Sequence, residues 1–323
     1  MTPVHILVIR LGAMGDVLHA LPAVSTLKRS FPSARISWIL DPKWSSLLAG
    51  NPYIDRVLTF DRRSWTSIRD TWSILKRERF DIALDLQGLI KSALVARVSG
   101  APQRVGFQRR EAREPWSALF YTRQVATECR HFVDRAIELA RACGAGYISR
   151  EFPIPEGRPE GELPSTRFIL ACPLAGWNAK QWPKENWEEL AAALRDDGLE
   201  LVVNGAPNAR RELESIRGAR VHTSGIAGLI DATRRAAAVI GVDSGPLHLA
   251  AALAKPGVAI FGPTDPARNG PYCATMTVLR DPAARTTYKR GTEIDASMRA
   301  VLPRMVLDAL RIRLEFHAAR TRG

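Results

Sequence analysis

Apolar residues fall in short runs along the first half of this chain, each followed by a stretch in which they recur every three or four positions. Val4–Ile9 reads as a buried strand, and a glycine-bearing turn at 12–15 leads into a helix from Asp16 to Arg29. Strands are expected at 34–40, 57–60 and 82–86, with a helix at 65–78. Alternation of this kind predicts parallel strands joined by crossover helices. Four prolines and two glycines between residues 151 and 166 interrupt it and mark a linker. The rhythm then restarts, with strands at 168–172, 199–203, 236–241 and 257–261 and helices at 184–195 and 208–217. An amphipathic helix is expected from Pro303 to Phe316. The pattern therefore predicts an α/β fold of two doubly wound domains with a cleft between them, over 1–155 and 156–300. Residues 301–323 form a closing helical segment that could pack back on the first domain. In such folds ligands bind beyond the carboxyl ends of the strands.

Composition narrows the partner. Lys and Arg number 46 against 33 Asp and Glu, a formal charge of +13, which favours an anionic ligand or surface. Much of the excess lies in the first half. No apolar run approaches the roughly 20 residues needed to cross a bilayer. Met1 to Arg10 reads as a first strand and not as an export signal, and four scattered cysteines form no CxxC pair. A cytosolic location is the expectation.

Three turns could carry chemistry. At Gly241-Val242-Asp243-Ser244-Gly245-Pro246-Leu247-His248 an apolar strand passes through a polar turn into a helix. Free amides and the helix dipole at such a start suit a phosphate, although an ordinary capped helix would read the same way. Asp16 follows the first strand, where it can cap the helix or accept a proton from an attacking hydroxyl. Lys180 lies between a strand and a helix, where it could neutralise a leaving diphosphate or be a plain surface lysine. Trp182 and Trp187 beside it read as packing residues. The turn 261–266, with Thr264, shapes a nucleotide pocket or simply turns the chain. The first turn lacks GxGxxG, so a dinucleotide is not indicated.

Several segments together resemble the bacterial lipopolysaccharide heptosyltransferase family. They are Arg10-Leu11-Gly12-Ala13-Met14-Gly15-Asp16-Val17-Leu18-His19-Ala20-Leu21-Pro22-Ala23, Asp85-Leu86-Gln87-Gly88-Leu89-Ile90-Lys91-Ser92-Ala93, Arg104-Val105-Gly106-Phe107, Arg110 to Glu114, His131 to Arg135, Lys180-Gln181-Trp182-Pro183 and Val242 to Pro271. The match runs nearly the whole chain in order, and Gly262 to Tyr272 is most similar to the group that adds the first heptose. The resemblance implies a GT-B fold and inverting transfer of heptose from ADP-heptose to the Kdo of lipid A. It also implies no cofactor and no catalytic metal. Asp16 would be the general base and Lys180 the partner of the leaving diphosphate, with Asp243, Ser244, Gly245, His248 and Thr264 at the donor. Arg62, Arg63, Lys91, Arg110, Arg113 and Arg135 would hold the acceptor's carboxylates and phosphates. A lipid-anchored acceptor implies peripheral contact with the cytoplasmic face of the inner membrane. Trp65, Trp116 and Phe120 are candidates for it, core packing being the competing reading of the last two. The chain departs from the family where a ribose carboxylate is often found. The turn after 199–203 offers none before Glu212, and Pro173-Leu174-Ala175-Gly176 lacks hydroxyl residues. A sister transferase acting on a later sugar and a non-catalytic polyanion-binding protein are the alternatives. No motif supports nucleic acid as a partner.

Overall fold

The strands form where apolar residues run without a break. In a computed structural model, which describes residues 3–322, β1 (His5–Ile9) is buried along its whole length. The first unit continues with α1 (Met14–Ser30), β2 (Arg35–Leu40), β3 (Arg56–Thr59), α2 (Trp65–Arg77) and β4 (Ile82–Asp85). Then follow α3 (Ile90–Val98), β5 (Gln103–Phe107), β6 (Arg123–Val125) and α4 (Phe132–Ala142). A 3-10 turn at Pro115–Phe120 separates β5 from β6. The six strands are parallel in the order β3-β2-β1-β4-β5-β6.

The second unit opens with β7 (Phe168–Cys172), α5 (Lys184–Asp196), β8 (Glu200–Gly205), α6 (Arg210–Glu214), β9 (Arg220–Thr223) and α7 (Ile226–Arg235). Next come β10 (Ala238–Val242), α8 (Gly245–Ala252), β11 (Gly257–Phe261), α9 (Pro266–Asn269), β12 (Met276–Arg280), α10 (Ala296–Arg299) and α11 (Pro303–Arg322). Its sheet runs β12-β11-β10-β7-β8-β9, the same connectivity repeated. Contacts divide the chain between Pro155 and Glu156.

Each sheet is held by burial. In the first unit Leu7, Ile9, Ile39 and Leu58 pack with Leu75 of α2 and with Val95 and Ala96 of α3. In the second, Ile169, Val203, Ile240 and Val258 pack with Trp187, Leu190 and Leu194 of α5 and with Val306 and Leu310 of α11. Trp182 and Trp187 meet edge-on at 4.9 Å, both almost fully buried. The helix expected over 208–217 is shorter, a 3-10 turn at Pro207–Ala209 followed by α6. Room is tightest where β11 starts beside β10. A Cβ on Gly257 would lie 1.9 Å from the Val239 carbonyl oxygen. Gly257→Ala is therefore expected to cost more than about 3 kcal/mol. A thermal melt with unchanged Tm would show that the strand end yields instead.

Doubly wound sheets leave a gap where the chain changes direction, at the carboxyl ends of the strands. Here those points lie beyond β1 and β4 in the first unit and beyond β7 and β10 in the second. Ile9 pairs with Asp85 at one, and Gly241 with Cys172 at the other.

Candidate active site

Beyond β1 the chain runs Arg10-Leu11-Gly12-Ala13 before α1 begins. Asp16 sits in the first turn of that helix, its side chain 35% exposed. One carboxylate oxygen, Oδ2, accepts from the Ala13 amide at 3.0 Å, so Asp16 does cap the helix. The other, Oδ1, meets Arg10 Nη2 at 2.7 Å. Arg10 is buried, donates through Nη1 to the Leu86 carbonyl and lies 4.4 Å over the Phe132 ring. A partly exposed carboxylate held from both sides in this way has a fixed orientation and still carries free lone pairs.

The neighbouring turn, beyond β4, braces the same loop. Gln87 Oε1 accepts from the Leu11 amide at 2.7 Å. Asp85 in turn accepts from the Gln87 and Gly88 amides at 2.8 and 3.3 Å and from the Tyr121 hydroxyl at 2.7 Å. Asp85 is fully buried, and loss of solvation raises its pKa despite those hydrogen bonds. Burial and the adjacent Asp85 likewise push the Tyr121 phenol far upward. Gly12, at φ +149°, packs where a Cβ would lie 2.7 Å from Trp44 Nε1.

The cationic candidates separate into groups. Glu114 accepts from the Ile90 amide at 2.7 Å and its own amide bonds the Gly88 carbonyl, docking the 108–114 loop on the start of α3. Burial lowers the pKa of Lys91, and the nearby charges of Arg62 and Arg113 lower it further against the opposing pull of Glu114. Those three cations therefore share one neighbourhood. Arg63 and Arg110 are exposed on the flanking loops. Arg135 is engaged internally, bonding Thr127 Oγ1 at 2.8 Å and Glu111 Oε2 at 3.0 Å and covering the Phe107 ring.

In the second unit three of the sequence candidates converge on the carboxylate of a fourth, Asp243. Asp243 Oδ2 accepts from Lys180 Nζ at 2.9 Å and from Thr264 Oγ1 at 2.8 Å, while His248 Nε2 lies 3.4 Å from Oδ1. Burial opposes ionisation of Asp243. The hydrogen bond from His248 and the Lys180 charge outweigh it and hold the carboxyl far below the ordinary carboxylate range. Ser244 is the N-cap of α8 but makes no side-chain cap bond, and its buried Oγ has no partner among the described residues. Pro246 lacks an amide hydrogen, so Gly245 and Leu247 supply the free donors of the first turn. Glu212 accepts from Gln181 Nε2 at 3.4 Å, one residue from Lys180. Among the described residues no group of three or more His, Cys, Asp or Glu is placed to hold a metal ion.

The sequence places Arg10, Asp85 and Gln87 in family-like segments without giving them a role, and it does not single out Tyr121. A charged residue ending a fully apolar strand was the available signal for Arg10.

A family model described as glycosyltransferase family 9 (heptosyltransferase) matches residues 68–298. The chain belongs to glycosyltransferase family 9. This family 9 enzyme is 30% identical to lipopolysaccharide heptosyltransferase 1 of Escherichia coli K12, over 93% of the chain and 99% of the relative. It is 28% identical to lipopolysaccharide heptosyltransferase 1 of Pseudomonas aeruginosa PAO1, over 83% and 81%. The solved E. coli heptosyltransferase WaaC with ADP-2-deoxy-2-fluoro heptose superposes with a TM-score of 0.75 at 25% identity, over 95% of this chain and 99% of that one. The two doubly wound units are thus the paired domains of the GT-B class. The family 9 chain is a glycosyltransferase.

Proposed function

We propose that this glycosyltransferase moves heptose from ADP-heptose to the Kdo of the lipopolysaccharide inner core, with inversion and without a metal. The carrying observation is the second unit's turn, where Lys180, Thr264 and His248 meet on Asp243 beside the unpartnered Ser244 hydroxyl and the first amides of α8. The Ser244 hydroxyl and the first amides of α8 are donors available to a diphosphate, with the Lys180 charge held close by through Asp243. Similarity to heptosyltransferases 1 along most of the chain supports the donor and acceptor.

In this reading Asp16 takes the proton from a Kdo hydroxyl. The oxygen's electron pair forms the bond to the anomeric carbon, and the bond from that carbon to the diphosphate oxygen breaks toward ADP. Attack opposite the leaving group inverts the centre. Negative charge grows on the departing diphosphate, so Lys180, Ser244 and the Gly245 and Leu247 amides act mainly in the transition state. Asp243 is anionic itself and does not attract the diphosphate. Its part is to aim Lys180, Thr264 and His248. Lys91, Arg62 and Arg113 form the acceptor-side cluster with Arg63 and Arg110, and Arg135 braces the Glu111 loop behind it. The acceptor's lipid anchor places the enzyme on the cytoplasmic face of the inner membrane. The proposed contact is peripheral; among the described residues no helix is long and apolar enough to cross a membrane.

The test is product analysis by mass spectrometry, from ADP-heptose and Kdo-lipid A with EDTA present. A gain of one heptose is expected. Product only after metal is restored would overturn metal independence. Donor binding without product on Kdo-lipid A, but with product on a core already carrying heptose, would reassign the chain to a later step.

A further inference from the structure

The first unit exposes apolar side chains unevenly. Eight large ones are exposed among its described residues, and four lie on two adjoining elements: Ile90 and Leu94 on α3, Trp116 and Leu119 on the 3-10 turn at 115–120. Trp116 is 58% and Leu119 70% exposed, which overturns the core-packing reading of Trp116. Phe120, by contrast, is half-buried and packs with Ala93, Ala118 and Tyr121. Positions four apart on an α-helix share a face, and positions three apart on a 3-10 helix lie in line. Each element therefore presents its pair together. The two elements are fixed to each other by Ala93 against Ala118 and by Glu114 at the α3 amide end, so the display is rigid.

The charge around these four residues is predominantly positive. Arg97, Arg109, Arg110 and Arg113 are exposed between residues 90 and 119, and the Arg109 guanidinium lies 4.7 Å over the Trp116 ring. That segment has two carboxylates: Glu111 is paired with Arg135 and Thr127, and Glu114, though exposed, accepts from the Ile90 amide. Exposed aromatic and aliphatic side chains ringed by arginines match an interface of acyl chains under anionic headgroups. Lys91, in the acceptor-side cluster, is on the first turn of the same α3.

We propose that α3 and the 115–120 turn form the surface by which this enzyme docks on an anionic lipid bilayer, with Trp116 and Leu119 entering the headgroup region. The assignment rests on the acceptor being lipid-anchored. It names the face that meets the lipid, and it puts Lys91 at the level where the acceptor's sugars leave the bilayer.

Flotation with vesicles of phosphatidylethanolamine and phosphatidylglycerol tests it, with phosphatidylcholine vesicles as the control. Wild type is expected to float with the anionic vesicles only and to be released by salt. Trp116→Ser with Leu119→Ser should reduce the bound fraction on the order of tenfold, since both apolar side chains lose their burial. Ile90→Ser with Leu94→Ser is a second, independent pair should the first misfold. Turnover on a deacylated, soluble acceptor should be unchanged in these variants, while turnover on bilayer-embedded acceptor falls with flotation. Wild-type protein that stays unbound, or folded variants that float like wild type, overturns the docking face. A wild-type dimer that the variants convert to monomer, with flotation unaltered, gives the face to a second copy of the chain. Failure of wild type on the soluble acceptor would instead strike the transferase reading and leave flotation to decide the docking face by itself.

Discussion

Asp16→Asn is expected to lower kcat by about 10²–10⁴-fold while ADP-heptose binding is retained. The amide has the shape of the carboxylate, and its oxygen can still accept from the Ala13 amide, so the start of α1 keeps its cap. What disappears is the proton acceptor and the partner of Arg10. Arg10 then remains as a buried cation held, among the described residues, by the Leu86 carbonyl and the Phe132 face. Since Asp16 is partly exposed, the stability cost is on the order of 1–2 kcal/mol, less than for a fully buried pair. Kinetics compared well below the melting temperature separate that cost from lost chemistry. Full activity in the variant would end the assignment of Asp16 as the base.

Lys180→Ala carries the second large effect. Removing a cation from the developing diphosphate charge is expected to lower kcat about 10²–10³-fold. The same substitution strands Asp243, which keeps Thr264 and His248 but loses its one lysine. A destabilisation on the order of 2–4 kcal/mol should follow. The sign with pH is fixed by the depressed folded-state pKa of Asp243. Its ionised form stabilises wild type at pH values above the unfolded-state pKa, and that contribution fades as pH falls toward the folded-state value. Without Lys180 the folded-state pKa moves up and the contribution shrinks, so wild type and variant should converge in stability under strongly acidic conditions. A loss in kcat with equal melting curves at neutral pH would mean that Asp243 needs no compensation from the lysine.

Sequence reading reached the central strands because burial on both faces leaves an unbroken apolar run, as in Phe168–Cys172 and Gly257–Phe261. It missed β5 (Gln103–Phe107), inside the first sheet, where Gln103, Arg104 and Gly106 break the apolar run, and three of the four edge strands, β6, β9 and β12, where one side meets solvent and arginines interrupt the pattern. Helices α3, α4 and α7 were also missed, α3 because it is short and apolar around most of its circumference. Lys180, Asp243, His248 and Thr264 were each legible as residues in suggestive turns. Their meeting on one carboxylate was not, because it depends on β7 and β10 being neighbours in the sheet. Arg135 shows the converse: it counts as one more cation in the sequence, and only the fold reveals that Glu111 already holds it.

The two sheets follow one wiring order. A polypeptide with that plan written twice has, in the proposed reading, two separate addresses for recognition, each set by a pair of turns in its own half. Changes in the turns after β7 and β10 alter what is held there without rewiring the first half, and the reverse is equally true. On that reading, such a chain can exchange one of its two recognition tasks at a time while the other keeps its turns unchanged.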